Sequence, residues 1–575
     1  MTNFEKFEDF VFEQALENAV SFKGAANPKA LIGKCMPKFP EMKQQMGEFI
    51  PRLNAIVEQV NSFELEEQTK KLLKIKPDFF EEKKEKKVPN KTDGLPKLEN
   101  TENGVIVRFP PAPSGHLHLG HLFGVVANYE LKKKYGGKFI LRFEDTNPDN
   151  IDISNYEKVI EDVNWITDNG VDEVFYQSDR MEIYYKYLRT LFDLNECYVC
   201  ECDSETFKAF TDAKEQCPHR KMNSEDKKKL FEKFMSGDFE GVLRSKADID
   251  NKNPALRTFP LARINSNSHA RAGSKYKVWP NYNLACAVDD SLMELTHVVR
   301  GKDLEIGEDR QKMLHKALGL KSPEYFHYGR MKFEDVDLSK TKLSQAIEEG
   351  KYSGWDDPRV PSLLAYKKRG YKAEAFRNLI LALGISKRDS RITSTEYHKQ
   401  LDFFNKQILE KEATRYFFVH NPKKIHIKNL NEIEDKEIIS PKHPEDKSFG
   451  NRVFDVQSEY IIDSLDFNAF NEGDLFRLMH FANFKILSKT DDTLEVEFVS
   501  KEYSKDLGTK RNIHFLQTGK TQACVVVLQD NSKIKGLTEK LGNPKAGDAI
   551  QFERFGFVRF DSEKNGIREF RFTHN

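Results

Sequence analysis

Apolar residues recur in steps of three and four over the first 75 positions: Phe4, Phe7, Phe10 and Val11, then Leu53, Ile56, Val57 and Val60. That spacing predicts amphipathic helices. The pattern stops between Ile75 and Asn100, where EEKKEKK and VPNKTDGLPKLEN read as a solvated tether. From Gly104 the texture changes. VIVRF is followed by a loop rich in Pro, Gly and His, then by helical spacing in LFGVVANYELKKKYGG, then by FILRFED. Strand, loop, helix and strand in that order predict a parallel α/β sheet. A second β-rich stretch is read at CAVDD and LTHVVRG. The residues between hold most of the cysteines and a Lys-rich helix near Glu225–Met235, as expected of a domain inserted into a doubly wound fold. Residues 360–420 return to helical spacing. After Pro422, alternating runs such as KIHIKNL, DTLEVEFVS and QACVVVLQD predict one or two β-barrels.

Composition narrows the function classes. The 575 residues suffice for several domains, and 91 Lys+Arg balance 91 Asp+Glu, which excludes a uniformly basic nucleic-acid binder. No apolar run reaches the ~18–20 residues of a membrane helix. The acidic start, MTNFEKFEDF, lacks a secretory pattern. Four of the seven cysteines fall between Cys197 and Cys217, which reads as a cytoplasmic protein in a reducing compartment with a metal site.

Three constellations carry chemistry. In RFPPAPSGHLHLGH, a strand ending near Arg108 leads into a rigid loop and a helix beginning near His121. The positive helix end and its N–H groups suit a nucleoside triphosphate. Gly120 leaves room for a flat base against the backbone, and His118 and His121 are placed to donate to phosphate oxygens as charge develops. Much later, DLSKTKL offers Ser339 and Lys340, an ammonium for a departing pyrophosphate. In the third, Cys200, Cys202, Cys217 and His219 form C-x-C and C-x-H halves suited to a tetrahedral, structural Zn²⁺. Cys197 is a further thiol nearby that leaves the ligand choice open.

HLGH followed by an LSKT loop resembles the paired signatures of class I aminoacyl-tRNA synthetases. ILRFEDTNPD, PNYNLACAVDD, THVVRGKD and GWDDPRVPSL resemble the glutamyl/glutaminyl branch, and within it the archaeal glutamyl type. The resemblance implies a multidomain α/β plus all-β fold: a Rossmann-type class I catalytic domain with an inserted acceptor-stem domain, a helical connector, C-terminal β-barrels that bind the anticodon, and an N-terminal helical appendage. The corresponding division is 1–100 appendage and linker, 101–180 and 280–335 catalytic halves, 181–279 insert, 336–421 signature loop and connector, and 422–575 barrels. It implies ATP with Mg²⁺ as substrate, the metal held largely by phosphates, and glutamate transferred through an adenylate to tRNA(Glu), with tRNA(Gln) a second candidate acceptor. His118, His121 and Lys340 would then be catalytic. Gly120, Arg330, Met331 and Ser339 would bind ATP, and Arg108, Glu144, Tyr282 and Arg300 the amino acid.

Two positions depart from the family pattern. Asp337 replaces the usual first lysine of the mobile loop, and Cys286 stands where bacterial members carry asparagine. In the connector, Lys367, Lys368 and Arg369 are candidates for phosphate contact or for a solvated helix face. In the barrels, the alternating Arg and Phe of FERFGFVRFD are candidates for stacking on bases, or for a strand with its Phe face inward. The rival functions are a glutaminyl-tRNA ligase, an inactive tRNA-binding paralogue and a small-molecule adenylyl-transferring enzyme. The intact HLGH and Ser339-Lys340 argue against the paralogue, and the insert and long β-rich tail against the small-molecule enzyme.

Overall fold

The computed structural model describes residues 3–21, 24–39, 46–76, 93–149, 151–336, 339–503 and 511–575. The chain divides into two compact units, Met1–Thr92 and Asp93–Asn575. The first contains helices α1 (Asn3–Ser21), α2 (Pro28–Lys38), α3 (Met46–Asn61) and α4 (Leu65–Ile75). Their apolar stripes meet in a core of Phe7, Val11, Leu16, Phe49, Leu53 and Val57. The NH₂ group of the buried Gln68 donates to the carbonyls of Gly24, Val60 and Phe63, while its amide oxygen makes no hydrogen bond. The EEKKEKK tether lies outside the described residues. From Asp93 onward the stretch is not a tether: Leu98 is buried in the core of the second unit, and Gly94 accepts from the Ile385 amide at 2.7 Å.

The second unit opens with parallel strands β1 (Val105–Phe109), β2 (Gly137–Phe143) and β3 (Glu173–Tyr176) in that order. Helices α5 (Leu122–Tyr135) and α6 (Ser154–Ile166) connect them. Gly137 begins β2 at φ +107, and a Cβ there would lie 2.0 Å from the Val105 carbonyl oxygen. Only glycine permits that approach.

An antiparallel sheet of β4 (Cys197–Cys200), β5 (Val242–Ser245), β6 (Pro260–Ile264) and β7 (Val278–Pro280) interrupts the chain. It packs with Tyr184, Leu188, Phe231 and Trp279 in a separate core. The parallel fold resumes with β8 (His297–Gly301) and β9 (Glu324–Tyr328). Thr296 exchanges backbone and hydroxyl hydrogen bonds with Ile106 and so joins β8 to β1.

CAVDD is not β-rich; it lies in the helix Tyr282–Leu292, in which every residue from Asn283 to Asp290 is buried. A helix buried on all sides has no polar face, so periodicity cannot distinguish it from a buried strand. The barrel strands also begin earlier than residue 422, at Thr414.

Two seven-stranded sheets form the C-terminal region. One has Thr414–Tyr416 and Phe418–His420 as its outermost strands; the other has Asn512–Ile513 and Leu516–Gln517. In each case the two outer strands are almost contiguous in the chain, so the sheet must curl round on itself as a barrel does. The FERFGFVRFD segment is a hairpin with inward Phe552, Phe557 and Phe560, all buried. Its Arg554 is paired with Asp466. These side chains are therefore core and strut, not stacking platforms. Arg369 is likewise buried and donates to the Thr573 carbonyl at 2.9 Å, docking its helix on the last strand.

Candidate active site

The loop after β1 turns through a short 3-10 segment, Leu119–His121, before α5 starts at Leu122. The His118 ring accepts from the Gly120 amide at 3.0 Å, and the His121 ring accepts from the His118 amide at 3.2 Å, both through Nδ1. An imidazole that accepts at Nδ1 carries its proton on Nε2. Both rings are thus neutral Nε2–H donors, their centroids 4.0 Å apart and their planes tilted by 45°. Burial, with the nearby Lys340 charge, pushes His118 down to about 4, and burial drives His121 well below its ordinary value. The loop is braced from behind by the GWDDPRVPSL segment: Leu363 donates to Leu117 at 2.9 Å, and Ser362 pairs with His118.

Asp337 and Leu338 lie outside the described residues. Ser339 is the residue before the helix Lys340–Glu348, and the Lys340 ammonium reaches across to Ser114 Oγ at 3.1 Å and the Gly115 carbonyl at 2.8 Å. Beside it is a cleft of about 650 Å³ lined by Ser114, Asn155, Lys158, Lys340 and Trp355, among others. The structure thus brings Lys340 and the two histidines together. Gly120 is exposed on the same loop. The Arg330 amide donates to Asp389, and Met331, packed against the core that also holds Leu117 and Leu119, opens a two-stranded parallel ladder with Ser390–Ile392.

The four residues expected at the amino acid converge on a buried polar pocket. Arg108 on β1 is wholly buried, and none of its guanidinium nitrogens has a hydrogen-bond partner. Arg300 on β8 donates to the Tyr282 hydroxyl at 3.1 Å, to Gln311 at 3.0 Å and to His327 at 3.2 Å, which leaves one terminal nitrogen unpartnered. Arg300 pairs with neither neighbouring aspartate: Asp289 is taken by Arg180, Tyr184 and Gln177, and Asp290 by Arg142. Arg108 Nε also lies 3.7 Å from Asp290, an ion pair without a hydrogen bond; buried guanidinium nitrogens that make no hydrogen bond are costly unless a ligand completes them.

Sequence reasoning missed Arg142, Asp290 and Gln311. Arg142 is wholly buried between Asp290 at 2.6 Å and Glu144 at 3.2 Å. A lone arginine within the apolar run of β2 was the available signal, since an arginine is almost never fully buried unless paired.

Away from this pocket, Cys200, Cys202, Cys217 and His219 form a single cluster whose donor atoms lie within 4.8 Å of one another. Two thiol sulfurs are 3.9 Å apart, and the His219 Nδ1 is 3.5 Å from one sulfur and 4.0 Å from another. Tetrahedral zinc with ordinary bond lengths gives edges of roughly 3.6–3.8 Å, so the donor set fits. Glu201 holds the other nitrogen of His219 at 3.2 Å, as a carboxylate does behind many metal-bound imidazoles. Cys197 belongs instead to the core of the insert.

A family model described as tRNA synthetases class I (E and Q), catalytic domain, matches residues 104–411, and the corresponding anti-codon binding domain matches residues 413–504. A glutamate–tRNA ligase of Thermococcus onnurineus is 40% identical over 566 residues, 96% of this chain and 97% of that protein. One from Pyrococcus furiosus is 40% identical over 572 residues, 97% and 98% of the two chains. One from Methanocaldococcus jannaschii is 38% identical over 563 residues, again 97% and 98%. With a catalytic and an anticodon-binding region both matched and relatives aligned almost end to end, this chain belongs to the glutamate and glutamine branch of the class I tRNA synthetases.

Proposed function

We infer that this chain is a glutamate–tRNA ligase, which activates glutamate with ATP and transfers it to the 3′ end of tRNA(Glu). The observation that carries the choice of amino acid is the charge of the pocket. Three guanidiniums, Arg108, Arg142 and Arg300, face two carboxylates, Asp290 and Glu144, while Asp289 and Arg180 neutralise each other. One positive charge is left over. Free glutamate carries one net negative charge and glutamine none. A guanidinium fork also meets a carboxylate with two charge-assisted bonds, whereas an amide turns an NH₂ group toward it.

In the first step the α-carboxylate of glutamate attacks the α-phosphorus of ATP and pyrophosphate leaves. His118 and His121 donate Nε2–H to phosphate oxygens as neutral imidazoles, and Lys340 neutralises the departing pyrophosphate. Ser339 and Gly120 border the nucleotide, and Arg330 and Met331 receive the adenine. In the second step the terminal ribose hydroxyl of tRNA attacks the activated carbonyl and AMP leaves. Mg²⁺ enters as part of the ATP substrate. Cys200, Cys202, Cys217 and His219 would hold a structural zinc that clips the end of β4 to the turn beginning at Pro218, within the insert that receives the acceptor stem. All seven cysteines are free thiols, in keeping with a cytoplasmic location.

Aminoacylation of purified tRNA(Glu) and tRNA(Gln) with each amino acid tests this reading. Charging of tRNA(Glu) with glutamate is expected, and the tRNA(Gln) arm reports whether glutamate is also placed there. Charging with glutamine in preference to glutamate would overturn the assignment.

A further inference from the structure

The Glu144 carboxylate is held by two groups that stand outside the expected amino-acid contacts. Its Oε1 accepts from Arg142 at 3.2 Å and from the Cys286 thiol at 2.9 Å. Arg142 is itself anchored by Asp290. Cys286 is wholly buried and lies one helical turn beyond Tyr282, so both side chains face the same pocket. Burial, reinforced by the Glu144 charge, pushes the thiol well above its ordinary value, so it keeps its proton and remains a donor. Glu144 Oε2 has no hydrogen-bond partner among the described residues.

The substrate brings two carboxylates and one ammonium. Arg108 and Arg300 suit the anionic ends. Asp289 and Asp290 are wholly buried and ion-paired with arginines, whereas the Glu144 side chain, held through Oε1 alone, is partly exposed, which leaves Glu144 as the carboxylate for the ammonium. A free glutamate side chain samples several rotamers, and ordering it costs free energy on binding. We propose that Cys286 is a positioning residue: together with Arg142 it fixes Oε1 of Glu144, so that Oε2 is presented to the α-ammonium of the substrate. This rests on the amino-acid ligase reading but not on the identity of the side chain, because every amino acid carries that ammonium.

The test is tRNA-dependent ATP–pyrophosphate exchange by the full chain. Cys286→Ala and Cys286→Val remove the donor, the second while keeping the site filled, and Cys286→Ser keeps a donor. Both donorless variants should raise the KM for glutamate roughly 3- to 10-fold, the factor set by the ordinary net strength of one hydrogen bond. The kcat and the KM for ATP should stay near wild type, and Cys286→Ser should restore most of the glutamate affinity. Glutarate, which has both carboxylates and no ammonium, should inhibit wild type and all three variants alike. An unchanged KM in the donorless variants, or an equal loss of glutarate inhibition, would overturn the role. If the wild-type enzyme exchanges on glutamine instead, the ligase reading fails at its amino acid. The same comparison with glutamine and its analogue lacking the α-amino group then still decides the role of Cys286.

Discussion

The Lys340 ammonium donates to the carbonyl of Gly115 at 2.8 Å, so the second signature loop is fastened directly to the first. Two segments far apart in sequence thus share one phosphate-facing surface. The contact also places a positive charge next to two rings that are neutral, and that charge helps keep them neutral.

Replacing Lys340 by Ala should slow adenylate formation about 10²–10³-fold, as loss of one preorganised donor to developing charge typically does. Pyrophosphate exchange measured with tRNA present checks it. The helix that begins at Lys340 makes few buried contacts, with Leu343 its single buried residue, so the thermal midpoint should hardly move. A wild-type exchange rate would remove Lys340 from the mechanism.

Burial pushes the Lys340 ammonium down to about 8, with Asp162 opposing the shift only in part. The kcat/KM for ATP reports ionisations of the free enzyme and should fall as pH rises through about 8. Stability responds with the opposite sign. Folding disfavours the charged form, a cost that is full below about 8 and fades as pH rises toward the ordinary 10.5. Lys340→Arg, slower but always charged, should lose the alkaline limb of the rate profile. If the limb persists in that variant, another group produces it.

The catalytic loop was legible because its chemistry is local. His118, Gly120 and His121 sit within four positions of one another between a strand and a helix, and the amino-terminal helices announce themselves through a stripe such as Phe7, Val11, Leu53 and Val57. The support behind the pocket was not legible. Arg142, Cys286, Asp290 and Gln311 come from a strand and two helices, and their partners are set by tertiary packing that no spacing rule encodes. The same limit explains CAVDD, whose burial on every side erased its helical period, and Leu98, whose apolar side chain is masked by turn residues. The Phe residues of FERFGFVRFD kept their alternation but spend it on the barrel core.

Purified protein should contain close to one equivalent of zinc, and Cys202→Ala should lose it. A structural site contributes folding free energy directly, so the insert should loosen and tRNA charging weaken while ATP binding persists. Elemental analysis of protein prepared without chelators, together with the thermal midpoint before and after chelation, reads this out. Protein free of zinc under those conditions would refute the site.

Gly307 lies against the pocket, where a Cβ would sit 3.3 Å from Asn283 Oδ1, 3.5 Å from the Arg300 guanidinium and 3.6 Å from the Tyr282 ring. Its backbone is ordinary helix, so Gly307→Ala should fold normally and be stabilised slightly by the better helix propensity. The crowding should nevertheless raise the KM for glutamate several-fold, with little change in the KM for ATP. Kinetics alongside a melting curve separate the two effects, and an unchanged glutamate KM would place Gly307 outside the pocket wall.

Arg300 is the residue on which the choice of glutamate turns. Its guanidinium is buried and fixed by Tyr282, Gln311 and His327, yet it keeps a terminal nitrogen free and has no carboxylate partner. His327 accepts from Arg300 Nε, so its proton lies on the nitrogen facing Glu308 at 3.3 Å. The arginine is therefore aimed, not merely stored, and a buried charge so aimed needs an anion to complete it. Glutamine would leave that charge poorly paired, and discrimination of about 10⁴ or more is within reach of a site built around a specific polar partner. Arg300→Leu should raise the KM for glutamate strongly, leave the KM for ATP nearly unchanged and narrow the gap between glutamate and glutamine. Exchange assays with both amino acids, on wild type and variant, measure all three. Activation of glutamine by the wild-type enzyme as readily as glutamate would show that the surplus positive charge does not select the substrate.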